Sequence, residues 1–566
     1  MSTARREATL PHTADPDPDP STDADSGART DAGVGAPAGA DVPDRPAAPD
    51  GPLLDRHVLL LAPAPGPDAT TTADAGPPDL FPPGTVLLAN TTDRMPGVEV
   101  LPADALPDDT SGAASDDPLE AAVAQIRPRH VRVLVDLYAE PPTPSEALLA
   151  LHDALFRTAK ACAAPGLRPE SFVVVVLGGV DGARVPHACA GLFTGFVKSL
   201  AREWPDTAVL AVVHEARDLV TAEPDAARET VAGPFPPVVY YAGGTRLLWR
   251  AVADPGAPAG VAPAPGERCV VAAGGAHGIG AALLLALARR DRPRLHIIGS
   301  TPLDGDGYEG EESGEADVRP ERKDFVRALT TGPERLTVRE ATMAYDRLGT
   351  ARRIRANLAE LRRLCGAHRV TYHVCDLRDR AAVEAVVRRV TDEEGTVDLL
   401  LHIAGTNRAA SVGRKRPRDF RAVRDLKVRS YAHLKAAFGD RQPRLWCNFG
   451  SFVGFTGQTG ETDYAAANDY LNTAALYHCA HGAREFTLGW TLWRDIGLGA
   501  TPLMRALLAK SGRFTAMPTA EGVDHFLREL DLREPGPRET GHPAQPPPVT
   551  VLFGAAERAA LGTAAP

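Results

Sequence analysis

The chain has 566 residues, 44% of them hydrophobic, which is enough for more than one domain with a buried core. Its 73 acidic residues outnumber 62 basic ones, and the formal net charge of -11 argues against a nucleic-acid-binding protein. Seven cysteines, an odd number without a CxxC pair, argue against a disulfide framework or a metal site and indicate reduced thiols.

The first 52 residues are rich in Asp, Pro, Ala and Thr. Residues 1–50 hold ten acidic and four basic residues and too few large apolar ones to form a core, so we expect a disordered tail. Docking of this tail to a partner protein is the alternative. No secretory signal follows the start, and no apolar run approaches the roughly 18 residues of a membrane span, so we expect a cytoplasmic protein without membrane contacts.

The next segment, 53–258, alternates strand and helix patterns. Strands are predicted at 57–62, 131–138, 171–178, 207–213 and 238–241, and helices at 144–163, 188–203 and 216–231. This alternation predicts a parallel sheet with crossover helices. No glycine fingerprint follows any of these strands, so we do not expect a second active domain here.

A glycine-rich turn opens the segment 259–556. The run CVVAAGGAHGIG at 269–280 is followed by AALLLALARR, which indicates a buried strand, a tight turn and a helix. Gly274 permits the turn, Gly278 lets the backbone approach a pyrophosphate, and Gly280 allows close helix packing, with the phosphates at the helix N-terminus.

Further strands follow the glycine turn in the order of a doubly wound nucleotide-binding fold. LHIIG ends before Ser300 and Thr301, the run 370–375 leads into Asp376 and Leu377, and the run 397–401 leads into the HIAG turn at 402–405. A lone glycine motif is a weak signal, but this ordered series makes a chance match improbable.

Ser451, Tyr464 and Asn468 are spaced by thirteen and four residues. If the chain is helical around 464–472, Tyr464 and Asn468 lie one turn apart on one face, and Ser451, just after a strand-like run, can approach the same point. A phenol, a hydroxyl and an amide would then converge, which fits the acid site of a hydride transfer; the alternative is that residues 464–468 are simply an Ala-rich helix start.

Residues from about 265 to 556 resemble the ketoreductase domain of polyketide synthases, in the short-chain dehydrogenase/reductase superfamily. The segments GLFTGFVKSLAREWP at 191–205 and VVYYAGGTRLLWR at 238–250 are similar to the structural subdomain that precedes it. The resemblance implies an α/β fold of two Rossmann-like, doubly wound parallel-sheet subdomains. The first is truncated and binds no cofactor, and the second is catalytic and binds NADP.

The resemblance also implies the roles of the site residues. Tyr464 would protonate the developing alkoxide, Ser451 would hold its oxygen, and Asn468 would anchor a water chain. Lys427, in DLKVRSYAHL, occupies the lysine position of the polyketide type, with Lys415 as a competitor and a solvated helix lysine as the alternative reading. Cofactor contacts are implied for Gly274, Gly275, His277, Gly278, Ile279, Gly280, Ser300, Thr301, Asp376, Leu377, His402, Ala404 and Gly405.

Two departures from the family bear on the cofactor. Ala273 replaces a threonine before the glycine turn, and Ser300 stands where the family has an arginine for the 2′-phosphate of NADPH. A serine supplies no charge. His277 occupies a position where other NADP enzymes have a basic residue, and no acidic residue at 300 or 301 favours NAD. We therefore expect NADPH rather than NADH.

Two segments around the site are less regular. A charged insertion at 303–345 precedes the arginine-rich amphipathic segment LGTARRIRANLAELRRL, and this part looks like ketoreductases of iterative, enediyne and polyunsaturated-fatty-acid synthases. Residues 498–531 are expected to form a lid over the substrate groove. The stereochemical markers of the family are replaced by 407–409 and by Thr456, so the handedness of the product is not assigned.

The resemblance implies reduction of a β-ketoacyl thioester, carried on the phosphopantetheine of an acyl carrier protein, to the β-hydroxyacyl thioester. The chain shows no ketosynthase, acyltransferase or carrier motif, so it is expected to be a discrete ketoreductase or one excised from a synthase. The basic loop 414–418 would either dock that carrier or be solvated. The alternatives are reduction of an α-keto or aromatic-polyketide ketone, and a non-catalytic scaffold that docks other synthase components.

Overall fold

The computed structural model covers most of the chain after the acidic tail. It describes residues 53–64, 81, 85–89, 99–102, 118–232, 237–254, 268–303, 322–332, 335–497, 514–533 and 546–561. The tail at 1–52 lies outside the described residues, as does the part of the predicted lid at 498–513.

Fifteen strands of the described chain form one sheet. They are β1 (Asp55–Pro63), β2 (Thr85–Ala89), β3 (Glu99–Pro102), β4 (His130–Asp136), β5 (Ser171–Leu177), β6 (Ala208–His214), β7 (Val238–Ala242), β8 (Thr245–Ala253), β9 (Cys269–Ala273), β10 (Arg294–Gly299), β11 (Val370–Val374), β12 (Leu399–His402), β13 (Leu445–Ser451), β14 (Glu485–Trp490) and β15 (Val549–Phe553). Their order across the sheet is β11-β10-β9-β12-β13-β14-β15-β1-β8-β7-β6-β5-β4-β2-β3.

Helices cover the sheet. Those described are α1 (Pro118–Ile126), α2 (Glu146–Cys162), α3 (Ala190–Glu203), α4 (Leu219–Ala232), α5 (Gly278–Asp291), α6 (Arg322–Thr331), α7 (Val338–Cys365), α8 (Arg380–Glu394), α9 (Pro417–Phe438), α10 (Phe452–Thr456), α11 (Thr462–Ala480), α12 (Thr519–Asp531) and α13 (Ala555–Leu561). Central strands such as β5, SFVVVVL, are buried along their whole length, as expected for a parallel sheet covered on both faces.

The sheet consists of two halves, each built from parallel strands, and this confirms the predicted α/β class. The strands β9 to β15 are mutually parallel, and so are β2 to β7. Between the halves, β1 is antiparallel to both β15 and β8, and β8 is antiparallel to β7. The two halves therefore run in opposite directions, and their carboxyl ends lie at opposite edges of one continuous sheet.

The halves also meet through α3 of the first half and α11 of the second. Gly191 and Gly195 on α3 lie against the α11 backbone: a Cβ on Gly191 would lie 2.3 Å from the Asp469 carbonyl oxygen, and one on Gly195 would lie 2.4 Å from that of Ala465. Only glycine permits this approach. The first half thus presses directly on the helix that begins at Thr462.

A buried ion pair fixes the register of these two helices. Lys198 Nζ on α3 lies 2.6 Å from Asp469 Oδ2 on α11, and it also donates to the Gly454 carbonyl at 3.0 Å. Thr194 Oγ1 donates to the same carboxylate at 2.6 Å. Because the pair is desolvated, loss of either partner would leave an uncompensated charge in the interface.

Replacement of Gly195 by alanine should destabilise the chain, because the new Cβ would meet the Ala465 carbonyl at 2.4 Å. We expect a loss of about 3 kcal/mol, the upper end of the range for overpacking. Gly349→Ala in α7 is the matched control, since its Cβ would meet only the Arg353 guanidinium, at 3.7 Å. Thermal unfolding measures both variants, and equal midpoints would contradict the tight α3–α11 contact.

Candidate active site

A cavity of about 790 Å³ lies at the carboxyl ends of the strands in the second half of the sheet, where open α/β sheets bind ligands. It runs from the turn after β9 to the start of α11. The predicted site residues that line it are Gly274, Gly275, His277, Gly278, Ile279, Gly280, Ser300, Thr301, Asp376, Leu377, Ala404, Gly405, Lys427, Ser451 and Tyr464. His402 and Asn468 are buried behind its wall.

The glycine turn after β9 fits a dinucleotide. Gly274, Gly275 and Gly278 adopt φ of 90°, 99° and 62°, which favour glycine. A Cβ on Gly280 would lie 2.3 Å from the Gly275 Cα, so the third glycine is required for the helix to pack. A Cβ on Gly278 would meet nothing within 4 Å, and the N-cap His277 makes no side-chain capping bond, so the first turn of α5 faces open space suited to a phosphate.

Ser451 and Tyr464 meet in the deeper part of the cavity. Ser451 ends β13, and its Oγ accepts from the Val453 amide at 3.2 Å. Tyr464, half-buried in the first turn of α11, interacts with the Ser451 hydroxyl. Burial raises the pKa of Tyr464 to about 12, with a further rise from Glu461 and an opposing effect from Ser451 and Asn468. The phenol therefore holds its proton at neutral pH, as a proton donor must.

Lys427 lies in the cavity wall rather than in solvent. It projects from α9, and its Nζ donates to the Phe449 carbonyl at 2.5 Å, two residues before Ser451. A Cβ on Gly405 would lie 2.9 Å from the Lys427 Cε, so the turn after β12 leaves room for this side chain only because it carries glycine. Burial lowers the pKa of Lys427 to about 8.

His402 and Asn468 are buried polar residues behind the wall. His402 Nε2 lies 2.7 Å from Ser430 Oγ, and burial, with the nearby Lys427 charge, lowers the pKa of His402 to about 3, so its ring is neutral. Asn468 Nδ2 donates to the Tyr464 carbonyl at 2.7 Å. Its Oδ1 has no hydrogen-bond partner among the described residues, which leaves an acceptor for the predicted water chain.

Glu461 is a cavity residue that the sequence analysis did not identify. It is 5% exposed, and its Oε1 accepts from Asn407 at 3.0 Å and Gln458 at 3.2 Å. Its Oε2 has no partner within the described chain. Burial raises the pKa of Glu461, and the carboxyl in turn raises that of Tyr464. An acid three residues before the tyrosine, one helical turn away, was the available signal.

The basic loop 414–418, expected to dock a carrier or to be solvated, has exposed arginines but a buried lysine. Lys415 Nζ forms an ion pair with Asp463 Oδ1 at 2.6 Å, and both side chains are fully buried. Arg416 pairs with Asp419. Arg414 and Arg418 are exposed. Lys415 does not line the cavity, and its ammonium lies behind α11 against the Asp463 carboxylate.

Features elsewhere in the described residues are simpler. All seven cysteines are free thiols. One group, Cys269, His296 and Glu394, brings potential metal ligands within 4.8 Å of one another at the amino end of the strands, but Glu394 is already paired with Arg294 and hydrogen-bonded to His296. Within the described chain no helix combines the length and apolarity that a bilayer crossing needs.

Comparison with known proteins agrees with this geometry. Residues 269–495 match the model of the KR domain family. The chain is 27% identical over 441 residues to one component of the polyunsaturated fatty acid synthase of Thraustochytrium sp., covering 73% of this chain and 15% of that protein. It is 32% identical over 163 residues to mycoketide-CoA synthase of Mycobacterium tuberculosis, covering 28% of this chain and 4% of that one. The chain thus spans a small part of these relatives.

Solved structures share the fold. An A-type ketoreductase from a modular polyketide synthase superposes with a TM-score of 0.61 at 18% identity, covering 88% of this chain and 92% of that one. A C2-type ketoreductase gives 0.61 at 16% identity, covering 90% and 97%. These structures show that the chain shares the fold of polyketide synthase ketoreductases, and the family match shows that residues 269–495 of the chain are similar to the KR domain.

Proposed function

We propose that the chain is an NADPH-dependent ketoreductase that converts a carrier-bound β-ketoacyl thioester to the β-hydroxyacyl thioester. The observation that carries this proposal is the convergence of Tyr464, Ser451 and Lys427 in one cavity that continues into the glycine turn. A cavity of this size accommodates both a dinucleotide and the end of an acyl chain.

In the proposed reduction each site residue has its own role. When bound, the nicotinamide supplies the hydride that reduces the ketone carbon. Tyr464 holds the proton that the substrate oxygen needs, and the Ser451 hydroxyl positions that oxygen beside the phenol. Lys427, tied to the Phe449 carbonyl, holds its ammonium against the same wall and favours negative charge developing nearby. Asn468 keeps a buried acceptor behind the tyrosine, where a water can return the proton.

The proposed partner is an acyl carrier protein that presents the thioester on phosphopantetheine. The relatives are synthases of which this chain spans a small part, so the substrate would be delivered by a carrier in the same assembly. Arg414 in the loop before α9 and Arg418 in the first turn of α9 are exposed cations, and they would steer an acidic carrier by long-range attraction. In this proposal the reductase acts in the cytoplasm.

Turnover is the direct test. Oxidation of NADPH with a β-ketoacyl thioester mimic should proceed, and more slowly with NADH. Tyr464→Phe should lower kcat by about 10²–10⁴-fold, because the proton donor is removed while the ring remains. Dinucleotide binding, followed by fluorescence, should be unchanged in this variant. Absence of turnover with both dinucleotides, even with a carrier-loaded substrate, would sink the proposal and favour a scaffold.

Lys427 and Lys415 should respond differently to removal of their charge. Lys427→Met should lower kcat/KM by about 10²-fold or more, because an oriented ammonium is lost from the cavity. Lys415→Met should instead lower the free energy of unfolding by about 3–5 kcal/mol, because it strands the buried Asp463 carboxylate. Turnover per folded molecule and thermal unfolding distinguish the two. The reverse pattern would make Lys415 the site lysine.

The pH profile should report the buried lysine. Since the pKa of Lys427 is lowered to about 8, its ammonium is present below that pH and is lost above it. Tyr464, with a pKa raised to about 12, stays protonated throughout. We therefore expect kcat/KM to fall about tenfold per pH unit above about pH 8. A profile that stays flat to about pH 10 would contradict this assignment.

A further inference from the structure

At the end of the cavity where the adenosine of a dinucleotide would bind, the residues that follow strand β10 include no cation for a 2′-phosphate. β10 ends at Gly299, and the next residues along the cavity, Ser300 and Thr301, are uncharged. In dinucleotide-binding folds the ribose 2′ position lies beside this segment, and an arginine nearby accommodates the 2′-phosphate. Across the cavity, Asp376 is paired with Arg378 at 2.7 Å and adds no net charge.

Helix α7 closes this end of the cavity and is attached to both of its walls. Asn357 Nδ2 donates to the Ala276 carbonyl in the glycine turn at 3.0 Å. Arg355 Nη2 donates to the Leu303 carbonyl, three residues after Ser300, at 2.5 Å. Between them, Ile354 lines the cavity. A capping box at Thr337 and Glu340 starts this 28-residue helix.

Arg353 is, with Arg355, one of the cations that α7 places near this end of the cavity. It precedes Ile354, lies three and four residues from Thr350 and Asn357 respectively, and shares their side of the helix. Its Nη2 donates to Thr350 Oγ1 at 3.1 Å, and within the described part of the chain no carboxylate forms an ion pair with it. Burial lowers the pKa of His277 in the glycine turn, and the positive charge of Arg353 lowers it further.

We infer that Arg353 on α7 recognises the 2′-phosphate of the dinucleotide and takes the place of the cation that Ser300 cannot supply. This inference rests on the proposed function, since it names the residue that makes the reductase select NADPH. Among the described residues the exposed Arg353 guanidinium is held by the neutral Thr350 hydroxyl, so it can turn toward the Ser300 segment without breaking an ion pair there. The planar guanidinium of Arg353 can donate two hydrogen bonds to one phosphate, and the Ser300 hydroxyl can donate a further one without adding charge.

The test measures binding rather than turnover. Adenosine 2′,5′-bisphosphate and adenosine 5′-monophosphate are titrated into the full chain by calorimetry. The wild type should bind the bisphosphate more tightly, and Arg353→Gln should weaken that binding roughly tenfold to a hundredfold while binding of the monophosphate is unchanged. Arg353→Lys should recover part of the loss, because the charge returns without the fork. Arg347→Gln, an exposed arginine on the same helix, should have no effect.

The other outcomes of these titrations either overturn the inference or support it. Equal affinity of the wild type for the two nucleotides, or equal losses in Arg353→Gln and Arg347→Gln, would overturn the inference and leave the reductase standing. If Arg353→Gln weakens binding of both nucleotides equally, Arg353 supports the glycine turn instead of contacting the 2′-phosphate, and the inference is overturned. Selective loss of the bisphosphate in a chain that oxidises neither NADPH nor NADH would support the inference and defeat the proposed function.

Discussion

The contact between α3 and α11 is the constraint on which the site depends. Tyr464 lies in the first turn of α11, and the same helix is pressed against the glycines of α3 with no side chain between the two backbones. Such a contact tolerates little sliding, and the Lys198–Asp469 pair penalises any change of register. The first half of the chain carries no glycine turn, yet it determines where the phenol stands. Its role is to position a helix.

Strand direction reverses in the middle of the sheet, so only one half has its carboxyl edge at the cavity. β1, an N-terminal strand, pairs with β15 on one side and β8 on the other, and it is antiparallel to both. Arg56 on β1 forms an ion pair with Glu529 of α12, and Glu529 also pairs with Arg533. The N-terminal strand is therefore held by the last elements of the second half. Because the carboxyl edges of the halves are opposed, the first half turns its own edge away from the cavity.

Sequence patterns predicted the parts of the fold and site that local signals determine. The apolar runs of β5 and β6 and the glycine turn can be recognised in the sequence, because buried parallel strands and tight turns restrict composition. The pairing of β1 with β15 and the strands β2, β3 and β8 were not predicted. Among these strands, β2 and β3 have only five and four residues, and such short strands carry weak local signals. The choice between Lys427 and Lys415 depends on the partner of each lysine, and only the fold places Asp463 against Lys415.

Buried acceptors around Tyr464 restrict what can occupy the space beside it. Three buried oxygens here have no hydrogen-bond partner in the described chain: Asn468 Oδ1, Asn407 Oδ1 and Glu461 Oε2. Such groups are rarely left unsatisfied, so whatever fills this space must bring donors. Water can do so, and a protonated carboxyl on Glu461, whose pKa burial raises, would meet part of the need. A region rich in acceptors therefore favours hydrated, proton-bearing species next to the phenol, and in the proposed reaction such species would return a proton to Tyr464.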